Sequence, residues 1–179
     1  MKMNSRDIEF KKQVLKIDAE KLVDLPTVLR IVEQAKRQGK RVVWANGCFD
    51  ILHVGHILYL ERAKSLGDIL IVGLNSDDSV KAFKGPHRPI VEEMHRAKIL
   101  TSLRCVDYVI IFSEKSPINL LKALKPHIYV KGGDYSIDTI DQNERRAIEN
   151  YGGKIVLLPK QEGISTSSII QKILAMYKK

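Results

Sequence analysis

The stretch Val42-Val43-Trp44-Ala45-Asn46-Gly47-Cys48-Phe49-Asp50-Ile51-Leu52-His53-Val54-Gly55-His56 decides how this chain is read. Val42, Val43 and Trp44 are apolar and β-prone, the signature of a short buried strand. Asn46-Gly47 then supplies a turn, because glycine takes positive φ at no steric cost. Ile57, Leu58, Leu60 and Ala63 follow at helical spacing, so the order is strand, tight turn, helix. His53 and His56 stand three apart, which puts both imidazoles on one face of the helix's first turns. Unpaired backbone N–H groups and the positive end of the helix dipole attract anions there. Two imidazoles over such a terminus make a phosphate clamp. Other readings of the same residues stay open. Cys48 and Asp50 are the nearby candidates to join the histidines on a metal, although a closed site needs three or four ligands and no CxxC-type spacing is present. Asp50 also suits the start of the helix as a capping acceptor. Gly55 costs helix stability, and close approach of a ligand to the backbone is the expected return.

Working outward, Pro26 fits a first helical turn and Val28, Leu29, Val32 and Ala35 keep helical spacing until Gly39 ends that helix. Residues 1–20 alternate charge with isolated apolar positions and read as a mobile arm or a weak helix, so 1–24 is taken as an N-terminal arm and 25–179 as the domain proper. After the central helix, Ile69–Leu74 is a continuous apolar run, as in a parallel strand buried on both faces. Asn75-Ser76-Asp77-Asp78 caps a short helix, and Phe83–Pro89 is a loop with two prolines and two certain cations, read either as a connector or as a phosphate contact. A helix over 91–103 carries Arg96 on its flank. Strands follow at 106–112, 128–130 and 155–158, with helices opening at Ser116-Pro117, covering 140–150, and closing the chain through Ile169–Leu174. The tandem Gly132-Gly133 at a strand's end lets a ligand lie against the main chain. Ser165 and Thr166 are natural N-cap residues. Strands alternating with helices predict an α/β domain, a three-layer Rossmann-like fold with a parallel sheet of about five strands. Ligands in such sheets bind outside the strands' carboxyl ends, where the strand order reverses. Every suspicious loop falls at such an end.

Asn46-Gly-Cys-Phe-Asp-Ile-Leu-His-Val-Gly-His56 matches the HxGH signature of the nucleotidyltransferase superfamily, and the chain more narrowly resembles the bacterial heptose 1-phosphate adenylyltransferases. Gly73-Leu-Asn-Ser-Asp77, Lys84-Gly-Pro-His-Arg-Pro89, Lys131-Gly-Gly-Asp-Tyr135 and Glu162-Gly-Ile-Ser-Thr166 carry the resemblance over roughly residues 40–175. It implies transfer of AMP from ATP to D-glycero-β-D-manno-heptose 1-phosphate, giving ADP-heptose and pyrophosphate for lipopolysaccharide core synthesis. It assigns His53 and His56 to the transition state. Gly47, Cys48, Phe49, Gly55, Lys131, Gly132, Asp134, Ser165 and Thr166 fall to the nucleotide. Asp50, Lys84, Arg88 and Arg96 are the candidates for the sugar phosphate and triphosphate. Mg²⁺ is expected with ATP rather than in a protein-built metal site, and a homodimer is the expected assembly. Two departures stand out. Related cytidylyltransferases have Arg-Thr where this chain has Lys160-Gln161, which weakens the alternative of a glycerol 3-phosphate cytidylyltransferase. Many heptose enzymes are fused to a sugar kinase, so a stand-alone form is expected here. His87 stands where a small residue is expected, and nothing in the sequence accounts for it.

Composition narrows the alternatives. Of the 179 residues 44% are hydrophobic and 28% charged, ordinary values for a one-domain globule. No apolar run approaches the ~20 residues of a membrane span, and Cys48 and Cys105 make no disulfide framework. With a charged N-terminus that lacks a signal peptide's apolar centre, the expected location is cytoplasmic. The net charge of +9 suits nucleic acid, an acidic membrane surface or phosphorylated small molecules, and no membrane partner is expected. Basic residues occur only in short pairs and aromatics are 6%, so a basic nucleotide- or nucleic-acid-binding module is the non-enzymatic alternative and no nucleic-acid partner is expected.

Overall fold

The computed structural model describes residues 5–133, 135–159 and 163–177. Five parallel strands form one sheet in the order β3-β2-β1-β4-β5: β1 Val42–Gly47, β2 Ile69–Asn75, β3 Tyr108–Phe112, β4 Ile128–Gly132 and β5 Lys154–Leu158. The chain builds outward from β1 through β2 to β3, then returns to the other side of β1 for β4 and β5. The reversal lies between β1 and β4, which pair in the register Val43↔Ile128 to Ala45↔Val130. Adjacent carboxyl ends there open a crevice that no crossover covers.

Alternation along the strands sorts the core into two layers. Val43, Ala45, Leu70, Val72 and Val130 face α3 (Val54–Lys64) and α5 (Glu93–Thr101). Val42, Trp44, Ile71 and Tyr129 face α2 (Leu25–Arg37), α6 (Ile118–Leu124) and α7 (Gln142–Glu149). Trp44 and Tyr129 are fully buried, and Trp44 needs the bare backbone of Gly73, where a Cβ would come 2.4 Å from its ring. The expected layered α/β architecture is thus observed, with α2 capped by Asp24, whose carboxylate accepts from the Thr27 N–H.

Two expectations are revised. Of the two readings of the chain's start the helix is the one observed, α1 (Ser5–Val14), and the rest of the expected arm packs on the domain: Ile17, Leu22 and Val23 are buried, and Leu22 makes a parallel bridge to Val109 of β3. The turn after β1 takes its left-handed residue at Phe49, φ 45°, and not at glycine. Gly47 instead ends the strand opposite Leu74, where a Cβ would press to 3.2 Å on the Phe49 ring. The remaining elements, α4 (Asp77–Lys84) and α8 (Thr166–Tyr177), start at strand ends or just beyond them.

Candidate active site

The carboxyl ends of β1 and β4, with the starts of α3 and α8, enclose a cleft of about 740 Å³. His53 is the N-cap of α3 in an extended conformation, and His56 lies three residues on, at N3. The i, i+3 spacing therefore works across the helix boundary instead of within the first turn. It stacks the rings with centroids 3.9 Å apart and a 30° tilt. Phe49 meets His56 edge-on at 5.5 Å, so its left-handed backbone serves to wall the pair.

Both imidazoles are held neutral at pH 7. Burial lowers His56 to about 4, with the neighbouring His53 adding to the shift, and burial alone lowers His53. The backbone N–H of His53 donates to His56 Nδ1 at 3.3 Å. A ring nitrogen that accepts there cannot carry the proton, so Nε2 of neutral His56 is the donor. His53 Nδ1 is buried without a partner among the described residues. A stacked neutral pair at a helix N-terminus, where α3 offers its own unpaired N–H groups, suits an anion on which charge is growing.

The second wall comes from α8. Thr166 Oγ1 donates to the Ile51 carbonyl at 3.3 Å, tying the start of α8 to the β1–α3 loop. Ser165 and Ser168 brace that start by reciprocal bonds of 2.9 and 3.0 Å between each backbone N–H and the other's hydroxyl. Gly132 faces α3, where a Cβ would sit 2.7 Å from the Tyr59 ring; Tyr59 in turn donates to the Val130 carbonyl at 3.0 Å.

Most residues expected at the site from sequence do meet in this cleft: Gly47, Cys48, Phe49, Gly55, Lys84, Arg88, Lys131, Gly132, Ser165 and Thr166 line it together with both histidines. Asp134 and Glu162, like Lys160-Gln161, lie outside the described residues. Burial raises the Cys48 thiol, so it lines the cleft uncharged.

Two residues differ from expectation. Asp50 neither caps α3 nor offers a free carboxylate. It is buried and accepts from Arg88 Nε at 2.6 Å, from the Ile90 N–H at 2.8 and 3.0 Å, and from the Val91 N–H at 2.8 Å. Burial pushes its pKa up, yet these donors outweigh it and hold the carboxyl below its usual value. Asp50 therefore orients Arg88 and the 88–91 loop. Arg96 is wholly buried, far from a flank. It donates to the carbonyls of Val91 at 2.8 Å and Asn75 at 2.9 Å, to the Cys48 carbonyl, and to Asp77 Oδ1 at 2.7 Å. Those acceptors are strand-end and loop groups that a layered sheet leaves without partners, and one guanidinium fork satisfies them together. Arg96 sits beneath the cleft floor as its clamp.

Sequence reasoning passed over Arg62, Lys115, Tyr135 and Glu144, which also line the cleft. Arg62 was within reach, because His56, Tyr59 and Arg62 follow the i, i+3, i+6 phase of one helix face. Tyr135 closes the Lys131-to-Tyr135 motif, whereas Lys115 and Glu144 come from a loop and a helix that only the fold brings together.

A parallel sheet whose switch point holds stacked imidazoles between two helix N-termini defines a nucleotidyltransferase. The chain belongs to the cytidylyltransferase-like family, whose model matches residues 44–172. It is similar to the bifunctional protein HldE of Geobacter sulfurreducens, 48% identical over 157 residues that make up 88% of this chain and 32% of the relative. HldE of Methylobacillus flagellatus is 43% identical over 165 residues, 92% of this chain and 33% of that one. The chain thus spans about a third of the length of the curated relatives it matches. Among solved structures, the lipopolysaccharide core biosynthesis protein of Thermoplasma volcanium is 32% identical with a TM-score of 0.55, over 69% of this chain and 98% of that chain. Pantoate-beta-alanine ligase of Francisella tularensis has the same TM-score at 17% identity, over 90% of this chain and 80% of that chain, which is a likeness of fold. No helix among the described residues is long and apolar enough to cross a membrane.

Proposed function

We propose that this chain transfers AMP from ATP to a sugar 1-phosphate, D-glycero-β-D-manno-heptose 1-phosphate, giving ADP-heptose and pyrophosphate. The observation that carries the reading is the neutral, stacked His53–His56 pair, with His56 Nδ1 engaged by backbone and its other nitrogen left to donate. The name of the Thermoplasma structure, a lipopolysaccharide core biosynthesis protein, supports a role in that synthesis, and the choice of sugar rests on the resemblance carried by the motifs.

An oxygen of the sugar phosphate attacks the α-phosphorus in line, and the bond to the bridging oxygen breaks with its electron pair leaving on pyrophosphate. No covalent enzyme intermediate is needed, so the residues position the reactants and answer charge. His56 donates to the oxygen on which charge develops, and the α3 N-terminus and the braced start of α8 offer backbone N–H groups to the phosphates. Arg88, oriented by Asp50, and Lys84 at the end of α4 supply positive charge toward the departing β,γ-phosphates. Among the described residues no group of three or more His, Cys, Asp or Glu is placed to hold a metal, and the carboxylates of Asp50 and Glu144 are paired with Arg88 and Lys131. Mg²⁺ would accompany ATP and neutralise charge on its phosphates.

Pyrophosphate release in the presence of Mg²⁺, with ATP or CTP as donor and heptose 1-phosphate or glycerol 3-phosphate as acceptor, tests the reading. ATP with heptose 1-phosphate is expected to give the highest kcat/KM, since a site fitted to one base edge rejects another strongly. Comparable kcat/KM with CTP, or preference for glycerol 3-phosphate, overturns it in favour of a cytidylyltransferase.

A further inference from the structure

The cleft is divided by the sheet itself. Alternation places Gly47 and Gly132 on the α3 side, with His53, His56 and Tyr59. Asn46, Asn75 and Lys131 lie on the opposite, α6–α7 side, and there the cleft is completed by Lys115 and Glu144. The two lobes differ in chemistry. The α3 lobe offers imidazoles, bare glycines and helix N-termini, groups suited to phosphate oxygens. The far lobe offers two amides, two ammonium groups and a buried carboxylate.

Glu144 organises that lobe. It is 4% exposed and accepts from Tyr129 Oη at 2.6 Å, Ser116 Oγ at 2.9 Å and Lys131 Nζ at 2.7 Å. A carboxylate has about four acceptor positions, and Glu144 lines the cleft with three of them filled. Lys131 is held by Glu144 between the rings of Tyr129 and Tyr135, at 5.3 and 6.0 Å from their centroids. Asn46 Oδ1 accepts from the Trp44 indole N–H at 3.3 Å, which leaves its NH₂ to the cleft. Asn75 donates its NH₂ to Ser79 Oγ at 2.9 Å, which leaves its oxygen. Lys115 is exposed and makes no ion pair with another described residue.

A hydroxyl is donor and acceptor at once, so a polyol is recognised by amide and carboxylate groups on rigid strand ends, and its phosphate by adjoining ammonium groups. We infer that the α6–α7 lobe is the acceptor subsite: Glu144, Asn46 and Asn75 bind the sugar hydroxyls and Lys115 its phosphate, with Lys131 at the crest where the two phosphates meet. The assignment rests on the adenylyl-transfer reading and divides that site between the two substrates.

The test is steady-state kinetics with each substrate varied in turn, on the full chain carrying Lys115→Ala or Glu144→Gln. Lys115→Ala is expected to raise KM for heptose 1-phosphate about tenfold and leave KM for ATP within twofold. Glu144→Gln keeps the side-chain volume and one acceptor oxygen, and is expected to raise the same KM and lower kcat. Calorimetric titration separates this inference from the reading beneath it. Heptose 1-phosphate added to protein saturated with α,β-methylene-ATP and Mg²⁺ is expected to bind wild type at least fivefold more tightly than either variant, whether or not turnover is seen. If wild type binds the sugar phosphate but never releases pyrophosphate, the adenylyl-transfer reading fails and the subsite stands. If both variants bind it like wild type, or if Lys115→Ala raises KM for ATP instead, the subsite assignment is overturned.

Discussion

The two ends of the sheet use the same kinds of side chain for opposite purposes. At the amino ends, His127 Nδ1 accepts from the Val42 N–H at 2.9 Å, Asp68 accepts from the Arg41 N–H at 2.7 Å, and Asp107 accepts from the Leu70 N–H at 2.7 Å while pairing with Lys64 at 2.6 Å. Each polar group there closes a backbone donor at the start of a strand. At the carboxyl ends, polar groups converge on a cleft with capacity unused: His56 keeps one ring nitrogen, Glu144 one acceptor position, and Lys84 and Lys115 make no ion pair with another described residue. Imidazoles at both ends are shifted the same way, since burial lowers His127 as it lowers His53 and His56. A depressed histidine pKa alone does not mark a catalytic group. The convergence of several such groups on one cleft does.

The sharpest way to break that contrast is at His56. Removal of a preorganised donor to developing charge typically costs about 10²–10³ in kcat. His56→Ala is expected to lose that much in single-turnover experiments, with a melting temperature close to wild type and a smaller loss in ATP affinity. Normal turnover by the folded variant would mean that the carboxyl end holds a structural histidine like the amino end.

Beneath the cleft the expectation reverses. Arg96→Met strands three carbonyls and the Asp77 carboxylate, and is expected to cost roughly 3 kcal/mol of stability in denaturant titration. Activity of the fraction that remains folded should fall mainly because the Cys48 and Asn75 ends lose their common anchor. A stable variant that has lost only ATP binding would return Arg96 to the phosphate site.

Arg96 also shows where reading the chain stops short. A charge on a short helix is ordinarily solvated, and only the layered sheet creates the cluster of unpaired carbonyls that draws it inside. Asp50 differs for a related reason: a carboxylate shortly ahead of a helix looks like a cap, but it stands three residues before the N-cap His53 and its donors come from residues 88–91, across the fold. The strands and helices themselves were legible because their apolar periods are local. So were the residues of the central stretch, the glycine-rich β4 end and the start of α8, since each motif sits at a strand's end. Lys115 and Glu144 carry no local signal, being joined to the site only by the return of the chain to β4.

His127→Ala gives a smaller effect and the opposite partition. It leaves the Val42 N–H unpaired and is expected to cost about 1–2 kcal/mol of stability, with kcat and both KM values unchanged. A kinetic change would show that the amino end is coupled to the cleft.

The last test is one of pH. His56 stays neutral in the folded chain down to about pH 4, against an ordinary value of 6.5. Between those values the unfolded chain binds the extra proton, so the contribution to stability is full above about pH 6.5 and is lost as the pH falls toward 4. His53 and His127 act in the same direction. As the pH falls from 7 to 4, the melting temperature of wild type should drop further than that of His56→Gln. Parallel curves would mean that His56 is as free to take a proton in the folded chain as in the unfolded one.

The notch at Gly73 has an optical consequence. It seats Trp44, the only tryptophan in the chain, fully out of water, with its indole N–H on the side-chain oxygen of Asn46 at the edge of the cleft. Intrinsic fluorescence excited at the red edge therefore comes from one buried indole whose N–H is bonded toward the substrate side. A ligand that draws on Asn46 perturbs that bond and the emission with it, so the protein carries its own label-free reporter of what enters the cleft.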